Sequence, residues 1–290
     1  GRIYGVIMEY TIYYRNYLRY CNYKCTYCPF SKYKLNNNDL EKDKIYFRKF
    51  TDFLKKSTDK FRIFIAPRGE VLNFDYYKSG ILMLANLDNI MEIVVQTNLS
   101  GELKWLENVN KDKVILWTTY HPDETGLEDF YKNIEFLDRE NIRFSVGTVG
   151  VHENFDMIFR LKEKMKLLKN TSPYLWINAY KDEKNYYSER DIKLLTEADP
   201  FFEINLKNYR SGGCECRTGE NVFWMEYNGI IHRCWQDRKN LGNIFKGNIT
   251  DMKVSDGCRY SRCTCYIGYT NMKELNLGMI YKKSLLGRMI

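Results

Sequence analysis

The feature that most constrains this chain is an alternation. Six β-rich runs fall at 12–20, 61–66, 92–97, 114–120, 143–149 and 174–180, and helix-patterned segments at 39–56, 76–85, 103–107, 127–140 and 153–169 lie between them. Parallel strands cannot be joined by tight turns and need a crossover, usually a helix. The alternation therefore predicts right-handed βαβ units and a parallel sheet. Phe130, Ile134 and Leu137 form one helical stripe, the side of a helix that packs on such a sheet. Six units fall short of the eight that close a barrel. The predicted fold class is α/β, a partial (β/α)6 TIM-like barrel. Functional groups in such folds sit just beyond the C-terminal ends of the strands.

The pattern changes near Ser188. Residues 189–198 read as a helix with Ser188 as its N-cap. Runs at 222–227 and 230–234 flank Asn228-Gly229, a strong hairpin signal. The expected organisation is a barrel over 1–187, a small cysteine-rich extension over 188–268 and a tail over 269–290.

Charge excludes little and suggests no special partner. There are 45 basic and 37 acidic residues, a net +8, but Lys and Glu are interleaved and there is no basic block. Clustering, not total charge, marks a nucleic-acid surface, so nucleic acid is not an expected partner. No apolar run reaches the length of a membrane span, and the start GRIYGVIMEY is too short and polar for a secretory signal. A cytoplasmic protein without a membrane partner is expected.

Cysteine carries more information. The nine cysteines form two groups, Cys21, Cys25 and Cys28 early, and Cys214, Cys216, Cys234, Cys258, Cys263 and Cys265 late. An odd number in a chain without an export signal argues against a disulfide framework and for metal sites in a reducing compartment. Cys21-Asn-Tyr-Lys-Cys25-Thr-Tyr-Cys28 has C-x3-C-x2-C spacing on the loop after the first strand. Three soft thiolates suit iron–sulfur or zinc; a structural zinc site wants four ligands. Three thiolates can hold three irons of a four-iron cluster and leave the fourth open.

This loop resembles the radical S-adenosylmethionine (radical SAM) signature, including the aromatic Tyr27 before the last cysteine. Other segments fit the resemblance in order. Arg68-Gly69-Glu70, after strand two, is similar to the G-G-E motif that holds the amino group of S-adenosylmethionine, with Arg68 in place of the first glycine. Gln96-Thr97-Asn98-Leu99-Ser100, after strand three, resembles the polar segment that contacts the ribose or methionyl part. Residues 146–153 resemble the G-x-I-x-G-x-x-E stretch along the adenine; Gly150 and Glu153 are kept, Val146 and Thr148 depart.

The late group resembles the SPASM/Twitch extension, through Cys216, twelve residues, Gly229, four residues and Cys234. It lacks the C-x2-C-x5-C-x3-C run of a full SPASM domain, so the resemblance implies one auxiliary 4Fe-4S cluster. Cys216, Cys234, Cys258 and Cys263 are its expected ligands, Cys265 is a close rival, and Cys214 is the expected spare. The spacing alone leaves a structural zinc site open.

The resemblance implies an enzyme that binds S-adenosylmethionine at the open iron of a 4Fe-4S cluster and cleaves it reductively to a 5′-deoxyadenosyl radical. That radical abstracts hydrogen from a peptide or small-metabolite substrate, giving oxidation or bond formation with help from the auxiliary cluster. It implies a low-potential electron donor such as flavodoxin or ferredoxin. His121 past strand four, and Asn178, Tyr180 and Lys181 past strand six, are the candidates for contact with substrate or cofactor; His121, Tyr180 and Lys181 are the catalytic candidates and Asn178 a cofactor contact. Two alternatives belong to other classes: a radical SAM nucleic-acid modifier, and a non-catalytic zinc protein on the same fold.

Overall fold

The computed structural model describes residues 7–30 and 33–290. Residues 1–6 of the expected barrel segment lie outside the described residues. The strands β1 (Glu9–Arg15), β2 (Lys60–Ile65), β3 (Ile90–Thr97), β4 (Val114–Tyr120), β5 (Arg143–Val149) and β6 (Leu175–Asn178) run parallel, each beside the next in sequence. Between them stand α1 (Asn37–Lys56), α2 (Asp75–Ala85), α3 (Leu127–Arg139) and α4 (Phe155–Met165). α1 starts where Asn36 accepts the Asp39 amide, and α5 (Glu189–Ala198) starts at a capping box of Ser188 and Asp191. The helix expected at 103–107 is a single 3-10 turn at Lys104–Asn108.

Strand alternation divides the core in two. Ile12, Tyr14, Ile63, Ile65, Ile93 and Val95 pack under the helices with Phe50, Leu84, Ile134, Leu137 and Ile158. Tyr13, Phe64, Val94, Ile115 and Trp117 point to the opposite face. Successive strand side chains take opposite sides, so both faces of this sheet must be covered. The C-terminal segment covers the second face with Tyr266, Tyr269, Met272, Leu277, Tyr281 and Leu286.

The segment after α5 adds the short helix α6 (Phe202–Leu206), the small β7 (Tyr209–Arg210), and then β8 (Val222–Glu226), β9 (Ile230–His232) and β10 (Asn240–Asn243). The hairpin at Asn228-Gly229 forms as expected, with Gly229 at φ +85°. β8 pairs in parallel with β1, so one nine-stranded sheet runs through both the barrel strands and the extension. A two-stranded pair of β7 and β11 (Arg262–Cys263), followed by α7 (Tyr266–Tyr269), carries Cys263 and, at the helix N-cap, Cys265.

β1 ends earlier than the aromatic run at 12–20 suggests. The amides of Tyr17 and Leu18 donate to Asp43 Oδ1 at 2.7 and 2.9 Å. Asn16 binds the Leu18 carbonyl and the Arg68 amide. A carboxylate and a side-chain amide thus replace ladder bonds and turn the chain toward Cys21. Among the described residues no helix is long and apolar enough to cross a membrane.

Candidate functional site

A cavity of about 850 Å³ opens at the C-terminal ends of the parallel strands. It is lined by Cys21, Tyr27, Cys25 and Cys28 from the loop after β1, and by Arg68, Gly69 and Glu70 after β2. Gln96, Thr97 and Asn98 of β3 and its following turn, His121 after β4, and Asn178, Tyr180 and Lys181 at and after β6 also line it, with Cys265 from the late group. Residues far apart in the chain meet here because every parallel strand delivers its following loop to the same edge.

The loop after β2 is pressed against the cysteine loop. A Cβ on Gly69 would lie 1.7 Å from the Tyr20 carbonyl oxygen, so only glycine fits, and the Glu70 amide donates to that same oxygen at 2.9 Å. Glu70 is buried and takes the Asn98 amide at 2.6 Å, the Leu72 amide at 2.9 Å and the Thr97 hydroxyl at 3.0 Å. Burial pushes its carboxyl up to about 7, against the pull of those donors. Asn98 in turn donates to the Cys21 sulfur at 3.6 Å and to Asn22 at 3.2 Å. Ser100 does not line the cavity; its hydroxyl holds Asn98 at 2.6 Å and Asn22 at 3.2 Å.

The Cys21 sulfur also accepts the Tyr23 amide at 3.4 Å. Burial pushes the Cys21 thiol up to about 11 and the Cys25 thiol up to about 12. Among the described residues no three His, Cys, Asp or Glu side chains converge as one metal ion requires. Thiolates that each bind a different iron of a cluster need not converge. Tyr27 hydrogen-bonds His121 Nδ1 at 2.7 Å and stacks on its ring. Burial lowers His121 to about 4, which keeps it neutral at physiological pH.

Other candidates take structural partners. Lys181 Nζ donates to the carbonyls of Lys207 and Thr264 at 2.9 and 3.0 Å, tying the loop after β6 to the late cysteine segment. Burial lowers it to about 8. The Tyr180 amide donates to the Tyr187 hydroxyl, which donates to the Gly150 carbonyl at 2.6 Å. Gly150 and Glu153 do not line the cavity, and Glu153 is exposed in the 3-10 turn at His152–Asn154. Sequence reasoning missed Arg15, Arg238 and Arg288, which do line it. The expected strand at 12–20 ran past Arg15 and so hid its place at the end of β1.

The late cysteines form one neighbourhood. The Cys263 thiol is pushed up to about 12 by burial first and then by Cys265, Cys234, Cys216 and Cys258 in falling order. Sulfur polarity divides the group. Cys216 accepts the Thr218 hydroxyl at 3.1 Å, Cys234 accepts the Asp237 amide at 3.2 Å, and Cys265 faces the amides of Ile267 and Gly268. Cys214 and Cys258 instead donate to the carbonyls of Arg210 and Tyr260. A Cβ on Gly268 would lie 2.7 Å from the Cys263 sulfur, so glycine leaves that sulfur room.

No family model matches the chain, and no curated protein matches it. Solved structures do. Native anSMEcpe with bound AdoMet and a Cp18Cys peptide aligns at TM-score 0.55 and 14% identity, over 84% of this chain and 80% of that one. Streptococcus suis SuiB bound to S-adenosylmethionine aligns at TM-score 0.52 and 15% identity, over 84% and 65% of the two chains. SuiB bound to the precursor peptide SuiA aligns at TM-score 0.53 and 13% identity, over 84% and 64%. At such identities the likeness is one of fold: the chain shares the α/β partial-barrel fold of these S-adenosylmethionine-bound structures.

Proposed function

We propose that this chain is a radical SAM enzyme whose first cluster is held by Cys21, Cys25 and Cys28. The observation that carries this reading is the gathering of those three thiols, Glu70, Asn98 and His121 around one cavity at the strand ends. When bound, the cluster would supply an electron to the sulfonium of S-adenosylmethionine, and the resulting nucleoside radical would take a hydrogen atom from substrate.

The protein's own part is positioning and exclusion of water. Asn98 and the Tyr23 amide direct hydrogen bonds at the Cys21 sulfur, which orients that ligand. Glu70 is fixed by three donors and retains acceptor capacity for the amino group of S-adenosylmethionine. Tyr27 and His121 brace the cysteine loop against the end of β4. Lys181 joins the cavity to the late cysteines.

An auxiliary 4Fe-4S cluster on the late cysteines is part of the proposal. Sulfurs that already accept hydrogen bonds are poised as thiolate ligands, so Cys216, Cys234 and Cys265 belong to the set with the central Cys263. This replaces Cys258 by Cys265 in the set expected from spacing. Cys265 lines the cavity, which brings that cluster beside the substrate. A peptide substrate is the favoured class because two structures of this fold hold peptides.

The test is anaerobic reconstitution with iron and sulfide, then electron paramagnetic resonance with and without S-adenosylmethionine. A signal altered by S-adenosylmethionine and release of 5′-deoxyadenosine on reduction are expected. Cys21→Ala, Cys25→Ala and Cys28→Ala should each abolish both. A protein that takes up zinc alone, or variants that release the nucleoside as wild type does, would overturn the reading.

A further inference from the structure

We infer that the substrate carries an anionic group, a carboxylate or a phosphate, received by Arg15 at the end of β1 and by Arg68 and Arg238, which the loops after β2 and β9 bring to Glu226 at the end of β8. The inference rests on the proposed function for the role of the cavity, and on the charges of these groups for the rest.

Parallel pairing places Arg15, the last residue of β1, directly beside Glu226, the last residue of β8. Glu226 is already engaged on both oxygens: Arg68 Nη2 donates to Oε2 at 2.7 Å, and Arg238 Nη2 donates to Oε1 at 2.6 Å. Trp224 Nε1 adds a third donor at 3.3 Å. Arg15 is left with backbone acceptors alone. Its Nη1 donates to the carbonyls of Ala66 and Pro67 at 2.8 and 3.0 Å, and its Nη2 and Nε have no hydrogen-bond partner among the described residues. The guanidinium lies 4.5 Å from the Phe30 ring centre and 5.6 Å from that of Trp224, two apolar faces that limit its hydration.

Three guanidinium groups thus answer to one carboxylate. Burial, and after it the charge of Arg68, lowers Arg15 to about 10, as expected of crowded cations. Of the other lining side chains, Lys181, Arg19 and Arg288 add positive charge, while Glu70, Asp182 and, as a thiolate, Cys265 oppose it. Glu70 is held by the donors around β3 and, in the proposed function, turns its remaining acceptor capacity to the amino group of S-adenosylmethionine. A desolvated cation is costly unless an anion meets it. The forked donors of arginine match carboxylate and phosphate oxygens in pairs. The complement therefore arrives with a ligand. S-adenosylmethionine has its own carboxylate, but Glu70 and Asn98, which would receive its amino-acid end, stand after β2 and β3; Arg68 shares Glu70's loop but is turned to Glu226, and Arg15 and Arg238 stand at the end of β1 and after β9.

Calorimetric titration of the reconstituted, S-adenosylmethionine-loaded protein with succinate, and separately with inorganic phosphate, at constant ionic strength, tests this. Binding of at least one anion is expected, and the tighter of the two names the group. Arg15→Gln and Arg238→Gln should each weaken it about tenfold or more. Arg160→Gln, an exposed arginine on α4, should not. Arg238 is 53% exposed at its side chain, so its variant keeps the test decisive if the Arg15 variant fails to fold. The inference is overturned if neither anion binds, or if the arginine variants bind it as wild type does. It is also overturned if Arg15→Gln weakens S-adenosylmethionine as much as the anion, since the arginines would then belong to the cosubstrate. Failure of wild type to bind S-adenosylmethionine at all would sink the proposed function instead; the same titrations on that protein would still decide the anion site.

Discussion

Glu70 concentrates the physical tension of the site. It is buried, and its carboxylate serves the backbone of β3's following turn and of its own loop. Its folded pKa of about 7 lies above the ordinary 4.5, so the folded state holds that proton more tightly than the unfolded state does. The sign follows from linkage: stability is greatest below the unfolded value, falls as pH rises toward the folded value, and is level above it. Metal-free wild type should therefore lose up to roughly 3 kcal/mol relative to Glu70→Gln between pH 4.5 and 7. Urea denaturation of both proteins across that range measures it, and parallel curves would refute it. Gly69 beside it permits no substitution, because an added methyl meets a backbone oxygen and not a movable side chain. Gly69→Ala should cost about 2 kcal/mol or more and lower the iron bound by the first cluster. Iron and sulfide assay after reconstitution checks the second part.

At the scale of elements, the cysteine-bearing loops are where sequence and structure part company. The alternation of strands and helices was legible because βαβ units leave a long-range pattern in apolar residues, and Phe130, Ile134 and Leu137 are indeed buried. The hairpin was legible because Asn228-Gly229 has a local conformational cause. The end of β1 was not, because Tyr17, Leu18 and Tyr20 have strand propensity while the bonds that stop the strand come from Asp43 on α1. In the candidate site, His121, Asn178, Tyr180 and Lys181 were legible from their place past strands four and six, and Arg68–Glu70 and Gln96–Asn98 from the motif resemblance, which also pointed to Gly150 and Glu153, outside the cavity. Arg15 and Arg238 were not, since their meaning depends on β8 lying against β1, a pairing that separates its partners by most of the chain. The late cysteines show the same limit: spacing offers a pool, and the direction of the hydrogen bonds at sulfur divides it. If the proposed auxiliary cluster forms, Cys265→Ala should remove its share of bound iron, whereas Cys214→Ala and Cys258→Ala should retain it. Iron content with Mössbauer spectroscopy distinguishes these, and equal loss in all three would reject the division.

For the molecule as a whole, the nine-stranded sheet makes the barrel and the late segment depend on each other. Without β8, the β1 edge would present unpaired backbone groups along Thr11–Arg15, an invitation to aggregate. Without 266–290, the face bearing Tyr13, Phe64, Ile115, Trp117 and Trp176 would lose its cover. Arg288 shows how closely that cover fits: it is 1% exposed, with its guanidinium 3.5 Å from the Tyr266 ring centre and 4.3 Å from that of Trp176. Burying each large apolar side chain contributes about 1.5–3 kcal/mol, so uncovering these five removes an amount comparable with the 5–15 kcal/mol by which a domain is stable. A fragment of residues 1–187 should therefore show no cooperative thermal transition and should bind a hydrophobic dye. Co-expression with 188–290 should restore both the transition and protease resistance. If the fragment melts cooperatively by itself, with dye binding as low as the full chain's, the two parts are independent and the sheet continuity carries no stabilising weight.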